Sequence, residues 1–250
     1  MLEKNIRKHN LMMKLDNTLR NLLEEEVIDI HFSSIVDHEL LDKCNYFTDF
    51  PNYLVQLSTL LDCNDLDDTK KMQKKNTKML DKYLTPAVCL SFYPQLKNQN
   101  IQNDFIVSSI SNAFRNEAEY VDGIRQLEYT IREFVFVGDK QFVQNKLDTL
   151  CYKALRYAKT ISPLVEVKSA TDCFFPSETS KYRERMQLVN KTKQELVASI
   201  NGKEVALASF NFHGNHFSAK FNFEGDRNIV TGCVGFGLER WISFLEQNNK

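Results

Sequence analysis

The sequence predicts an α+β fold: an antiparallel β-sheet flanked by helices, in one domain over 1–250. Three observations predict it. The last third reads as strands at 195–200, 204–212 and 216–223 with no helix between them, which indicates antiparallel pairing rather than a doubly wound sheet. A long amphipathic stretch at 140–159, with Phe142, Leu147, Leu150, Ala154 and Tyr157 on or near one face, supplies a helix to cover that sheet. No internal repeat and no linker rich in Gly, Pro or Ser interrupts the 250 residues, a length that suits one large domain.

The elements follow in order. Apolar residues at Leu11, Leu15, Leu19, Leu22 and Leu23 keep a helical period through about Glu26. Val27 to Phe32 is short, β-branched and aromatic, and reads as a strand. A helix is expected over 38–44, then an irregular stretch around Phe50-Pro51. The segment 64–82 is polar, with five lysines between Lys70 and Lys78; it reads as a solvated helix or loop, or else as a docking patch for an acidic partner. Strands are expected at 87–92, 104–114 and 129–137, and a short one at 165–167. A further helix covers 178–189, and the last element is a helix over 237–246.

Composition narrows the function. Lys plus Arg number 32 against 33 Asp plus Glu, a net charge of -1. There is no global basic field of the kind nucleic-acid binding usually shows, although a local patch stays open. No apolar run approaches the ~18 residues needed to span a bilayer, and the first twenty residues lack the pattern of a signal peptide. Six cysteines without paired spacing suggest a reducing compartment, the cytoplasm, with most thiols buried and one or two available as metal ligands.

Three segments could carry chemistry. The first is Ala113-Phe114-Arg115-Asn116-Glu117, with Arg125 and then Tyr129-Thr130-Ile131-Arg132-Glu133-Phe134; two strands joined by a loop would hold Arg115, Glu117 and Arg132 on a rigid surface. Taken alone, these arginines read as surface ion pairs with Glu117, Glu119 or Glu128. The second is Thr231-Gly232-Cys233-Val234-Gly235-Phe236-Gly237-Leu238-Glu239-Arg240. Its alternating glycines allow close backbone approach and its helix presents Arg240 at the first turn, or it is simply a packed strand-to-helix turn. The third, Leu84-Thr85-Pro86-Ala87-Val88-Cys89, offers only Cys89, and a free cysteine in an apolar strand is more often core than ligand.

Together the segments are more specific. "FRNE" with "REFVFVG" resembles motif two of the class II aminoacyl-tRNA synthetases, and "TGCVGFGLER" resembles motif three. With "LTPAVC" and "SFNFHGNHF" in the same order, the chain resembles the amino acid:[carrier protein] ligases, which look like the catalytic core of zinc-dependent seryl-tRNA synthetases. The likeness runs from about Val27 to Trp241 and implies a class II synthetase-like fold. It implies a zinc ion held by Cys89, Glu133 and Cys233, whose open position takes the α-amino group of the substrate. It implies ATP bound by Arg115 on the α-phosphate, Glu117 on the adenine amino group, Tyr129 stacked on adenine, Arg240 on the other face and reaching toward the γ-phosphate, and Arg125 on the outer phosphates, with Arg115 and Arg240 as the catalytic pair. Magnesium is expected with the nucleotide; the acidic position usual in seryl enzymes falls near Val205, with Glu204 adjacent.

The implied activity is adenylation of a small amino acid, glycine or alanine, followed by transfer to the phosphopantetheine thiol of a carrier protein. The short N-terminal helix and the chain end ten residues after Arg240 lead us to expect no tRNA partner. "HFSSIVDHELLDK" resembles motif one without its usual proline, so a homodimer is expected. His213 and His216 are expected in the sheet near the substrate rather than as ligands, and Cys173 as packing. Two other readings stay open: an adenylating enzyme with a tRNA or small molecule as acceptor, and a regulatory pseudo-synthetase that binds nucleotide or amino acid.

Overall fold

Side chains alternate across a strand, and that alternation gives the main sheet two differently used faces. The computed structural model describes residues 2–60 and 77–248. In chain order it contains α1 (Leu2–Arg20), β1 (Ile28–Asp29), β2 (Ile35–Asp37), α2 (His38–Lys43), α3 (Tyr46–Asp49), β3 (Val55–Leu60) and β4 (Thr77–Leu84). Then come β5 (Phe105–Phe114), β6 (Glu128–Gly138), α4 (Lys140–Ile161), β7 (Glu166–Ser169), α5 (Glu178–Asn190) and β8 (Lys193–Ile200). The chain continues through β9 (Lys203–Gly214), α6 (His216–Phe221), β10 (Val230–Gly237) and α7 (Leu238–Asn248). The seven-stranded sheet has the order β1-β5-β6-β10-β9-β8-β7, and β2-β4-β3 form a second, three-stranded sheet. Every neighbouring pair is antiparallel except β1 with β5. The fold class is therefore the α+β arrangement predicted.

On the back face, Phe134 and Phe136 of β6 and Val234 and Phe236 of β10 pack with Leu15 and Leu19 of α1, the α4 stripe Val143, Leu147, Leu150, Ala154 and Ala158, and Trp241 and Phe244 of α7. The 3.6-residue period of α4 was legible, and its start is set by Asp139, whose carboxylate caps the Phe142 N–H at 2.8 Å. The odd-numbered residues Ile131, Val135 and Cys233 belong to the front core with Phe32, Tyr93 and Phe217.

Arg132 lies on the back, not on the rigid surface expected for it with Arg115 and Glu117. It is buried and grips Asp16 of α1 through Nε and an Nη atom, both at 2.6 Å, with Asp29 at 3.3 Å and Ser108 Oγ at 3.1 Å. This ties the N-terminal helix to the centre of the sheet.

Three local expectations change. Residues 87–92 form not a strand but a 3-10 turn over Val88–Ser91, with Leu90 N–H bonded to Ala87 and Phe92 N–H to Cys89; a short, wholly apolar run carries no period that separates the two. Residues 216–221 form α6 because Phe217 and Phe221, four apart, both bury on one helical face. The stretch 77–82, expected as solvated helix or loop, lies in β4, a strand whose polar residues mostly face water. Its partner β3 had no signal at all. The lysines at 70–75 lie outside the described residues. No helix of the described residues is long and apolar enough to cross a membrane.

Removing one partner of a buried, doubly hydrogen-bonded ion pair leaves an uncompensated charge, at a cost of about 3–5 kcal/mol. Asp16→Ala is expected to lower unfolding stability by about 3 kcal/mol in urea titration, whereas Asp37→Ala, whose partner Lys82 is half exposed, should change it by less than about 1 kcal/mol.

Candidate active site

The front face opens into a cavity of about 940 Å³ that all eight nominated residues line: Cys89, Arg115, Glu117, Arg125, Tyr129, Glu133, Cys233 and Arg240. That volume is near the upper end of the ~300–1,000 Å³ usual for small-molecule sites, enough for two reactants side by side. Cys89 comes from the 3-10 turn, Glu133 from β6 and Cys233 from β10, and their ligand atoms lie within 4.8 Å of one another, all buried. The glycines of β10 make this possible. A methyl group on Gly235, the residue paired with Glu133, would stand 2.8 Å from Glu133 Oε2. On the other face, a methyl on Gly232 would stand 2.8 Å from Val143 Cγ1 of α4.

Burial pushes the Glu133 carboxyl up to about 7, although hydrogen bonds from Cys233 and Cys89 pull it down. The Cys233 thiol is driven well above its ordinary value, first by its hydrogen bond with Cys89 and then by burial. Three groups that all become anionic on deprotonation share one dry place, and a cation is what relieves that conflict. Two thiolates and a carboxylate are a zinc donor set with a tetrahedral position left over, and the residues fit such an ion. Asn211, opposite Cys233 in the ladder, donates Nδ2–H to its Sγ at 3.5 Å.

The second part of the cavity is built around Arg115. Its Nε donates to Pro86 O at 3.1 Å, and its guanidinium lies 5.3 Å from the Tyr53 ring and 5.5 Å from the Tyr129 ring. The ion pairs expected of an isolated Arg115 are not what holds it. Among the described residues the buried Tyr129 hydroxyl has no hydrogen-bond partner. Arg125 and Glu117 face each other at 4.0 Å. Arg240 stands in the first turn of α7 and gives Nε–H to Ile124 O at 2.8 Å and an Nη–H to Ala206 O at 3.0 Å, which leaves three of its five N–H groups for a ligand. Its neighbour Glu239 clamps the helix to β6 by accepting from Thr130 N at 2.9 Å and Thr130 Oγ1 at 2.8 Å. Val205 is buried and offers no ligand for magnesium, while Glu204 lines the cavity and pairs with Lys168.

Several residues of the cavity escaped the sequence reading. Asp172 accepts from Lys193 at 2.8 Å and from Gln187 of α5 at 2.7 Å, and Lys193 also meets Glu195 at 3.4 Å. The Phe50 ring stacks on Phe174 at 5.1 Å, and Asp49 pairs with Arg183. The last two contacts join segments more than a hundred residues apart, and the Asp172 pairs join a loop to a helix and a strand, so no local period announces them. Cys173 is exposed beside Tyr53, not packed. His213 lies in β9 as expected, and burial drives its imidazole down to about 3, so it is neutral. His216 begins α6 and is not in the sheet.

This fold is that of the class II aminoacyl-tRNA synthetases: the seryl-tRNA synthetase of M. kandleri, solved with A. aeolicus tRNASec, superposes with a TM-score of 0.75 at 19% identity over 95% of this chain and 52% of its own. The chain is homologous to type-2 serine–tRNA ligases and to an amino acid–[acyl-carrier-protein] ligase. The enzyme of the first kind from Methanococcus aeolicus is 26% identical over 270 residues, covering 94% of this chain and 51% of that protein. Amino acid–[acyl-carrier-protein] ligase 2 of Bradyrhizobium diazoefficiens is 23% identical over 225 residues, covering 84% of this chain and 66% of that protein. The chain thus spans about half or less of the length of the serine–tRNA ligases it matches. No protein-family profile matches it.

Gly235→Ala is expected to push the Glu133 carboxylate away from the two thiols. Zinc affinity, measured by competition with a chromophoric chelator, should fall by about tenfold or more, with the thermal midpoint changed much less than by a core truncation.

Proposed function

We propose that the chain is a ligase that activates a small amino acid, glycine or alanine, with ATP and passes it to the phosphopantetheine thiol of a carrier protein. The observation that carries this reading is that Cys89, Glu133 and Cys233 open into the same cavity as Arg115 and Arg240. An ion-holding trio and a phosphate-binding arginine within one enclosure suit a reaction between an amino acid and a nucleotide. The kinds of ligase among its homologues support the same chemistry.

In this reading Cys89, Glu133 and Cys233 hold zinc, which supplies a Lewis-acidic anchor for the α-amino group. Arg115, fixed by Pro86 and the two tyrosines, neutralises charge on the α-phosphate as a carboxylate oxygen attacks phosphorus. The bond to the bridging oxygen breaks and pyrophosphate leaves, giving the aminoacyl-adenylate. Glu117 accepts from the adenine amino group, Tyr129 and Arg240 flank the ring, Arg240 also reaches toward the γ-phosphate, and Arg125 contacts the outer phosphates. Positioning and charge neutralisation do the work without a covalent enzyme intermediate. Magnesium accompanies the nucleotide. The carrier thiol then attacks the acyl carbon, forming a thioester and releasing AMP. The protein acts in the cytoplasm as a homodimer; exposed Ile35 within the motif-one-like stretch and exposed Ile28 just before it support a second copy there.

A second reading has tRNA as the acceptor. It is favoured by the serine–tRNA ligases among the relatives, and transfer assays with a phosphopantetheinylated carrier against bulk tRNA separate the two.

The test is amino-acid-dependent ATP–pyrophosphate exchange across all twenty amino acids. Exchange with one or two small amino acids is expected; none with any of them contradicts adenylation and favours a regulatory pseudo-synthetase. Cys233→Ala should lose zinc and exchange together, while Cys151→Ala, in the partly buried flank of α4, should keep both. Arg240→Ala should keep the metal and weaken ATP binding about tenfold to a hundredfold, the worth of a hydrogen bond to a charged group.

A further inference from the structure

Behind Cys89 runs a line of polar groups that the reaction above does not use. His213 is the residue that the β9–β10 ladder skips: Thr231 pairs with Gly214 and Gly232 with Phe212, leaving His213 as the extra residue of a bulge. Bulges beside functional sites re-aim a side chain. This one sets His213 Nδ1 3.1 Å from Thr231 Oγ1 and 3.3 Å from the Tyr93 hydroxyl. The Tyr93 ring is fully buried and held flat against Phe217, centroids 3.8 Å apart at 10°. His213 stands edge-on to both rings, at 90° and 89°. Tyr93 therefore has little freedom, and its side chain packs in the same buried cluster as Cys89 and Cys233.

We propose that His213, acting through Tyr93, is a positioning residue that orients the Cys89 thiolate as a metal ligand. The inference rests on the metal reading of the preceding subsection. Its polarity follows from donor and acceptor capacity. A metal-bound thiolate only accepts, so Tyr93 donates its O–H to Cys89 Sγ. The Tyr93 oxygen then accepts from His213, which carries its proton on Nδ1 and shares it with Thr231 Oγ1. A ligand held this way is pre-aimed before the ion arrives, and loss of such support typically costs 10–100-fold in metal affinity.

The experiment measures zinc affinity by chelator competition on the full chain, and the thiolate-to-metal charge-transfer absorption of the cobalt(II)-substituted protein. Tyr93→Phe removes one oxygen and keeps the ring stack. It and His213→Ala are each expected to weaken zinc binding by about 10–100-fold and to shift the cobalt band. The double variant should be no weaker than the weaker single, because both break one chain. His213→Asn, whose amide N–H falls near the position of Nδ1, should recover affinity to within about threefold. Should His213→Ala fail to fold, Tyr93→Phe carries the test alone. Wild-type affinity and an unchanged cobalt spectrum in Tyr93→Phe overturn the proposal, as do losses that multiply in the double variant. If the unsubstituted chain binds neither zinc nor cobalt, the metal reading itself falls, and this inference with it.

Discussion

Glu133 sits at the buried centre of β6 with two cysteine thiols as its nearest polar company. A carboxyl group taken out of water and set beside two potential thiolates is held protonated or must be given a cation. Burial pushes it up to about 7, so near neutrality both forms are within reach. The rest of the front face is arranged around that constraint. Gly235 opposite gives the carboxylate its space, Asn211 donates to one thiol, and Tyr93 packs in the buried cluster that holds both.

The sheet makes this possible by dividing labour between its faces. On β6 the neighbours Arg132 and Glu133 point in opposite directions. The arginine ties α1 to the back core through Asp16, and the glutamate meets the thiols of the front. On β10, Val234 and Phe236 fill the back while Cys233 and Gly235 shape the cavity, and the strand runs directly into α7 so that Arg240 emerges one turn later. Glu239 fixes that turn to Thr130. Packing on one face thereby sets the spacing between the thiol–carboxylate trio and the arginines on the other.

Strands β5, β6, β8 and β9 and helices α4 and α7 were legible because period-two and 3.6-residue patterns mark them; β10 was not read as a strand, although its "TGCVGFGLER" run marked both a thiol and an arginine of the cavity. Cys89 was legible as a candidate but not in its setting. The apolar run Ala87 to Phe92 has no period, and the turn becomes definite only when it packs on β6. The α6 helix was misread because Phe217 and Phe221 also suit an alternating strand. Tyr53, Asp172 and Lys193 were invisible for a different reason: each gains its role from a partner on another element, Arg115 for the first and each other for the other two. The skipped residue His213 was placed near the substrate by resemblance, yet its link to Tyr93 depends on a bulge that no local pattern reveals.

Zinc K-edge absorption spectroscopy on the loaded protein, with and without glycine or alanine, tests the central claim most directly. The account predicts two sulfur neighbours at about 2.3 Å and two lighter ones at about 2.0 Å. It also predicts that the lighter shell changes when the amino acid binds and not when a carboxylic acid lacking the amine is added. Four sulfur neighbours, or a spectrum indifferent to both additions, would contradict a metal held by Cys89, Glu133 and Cys233 with one position facing the cavity.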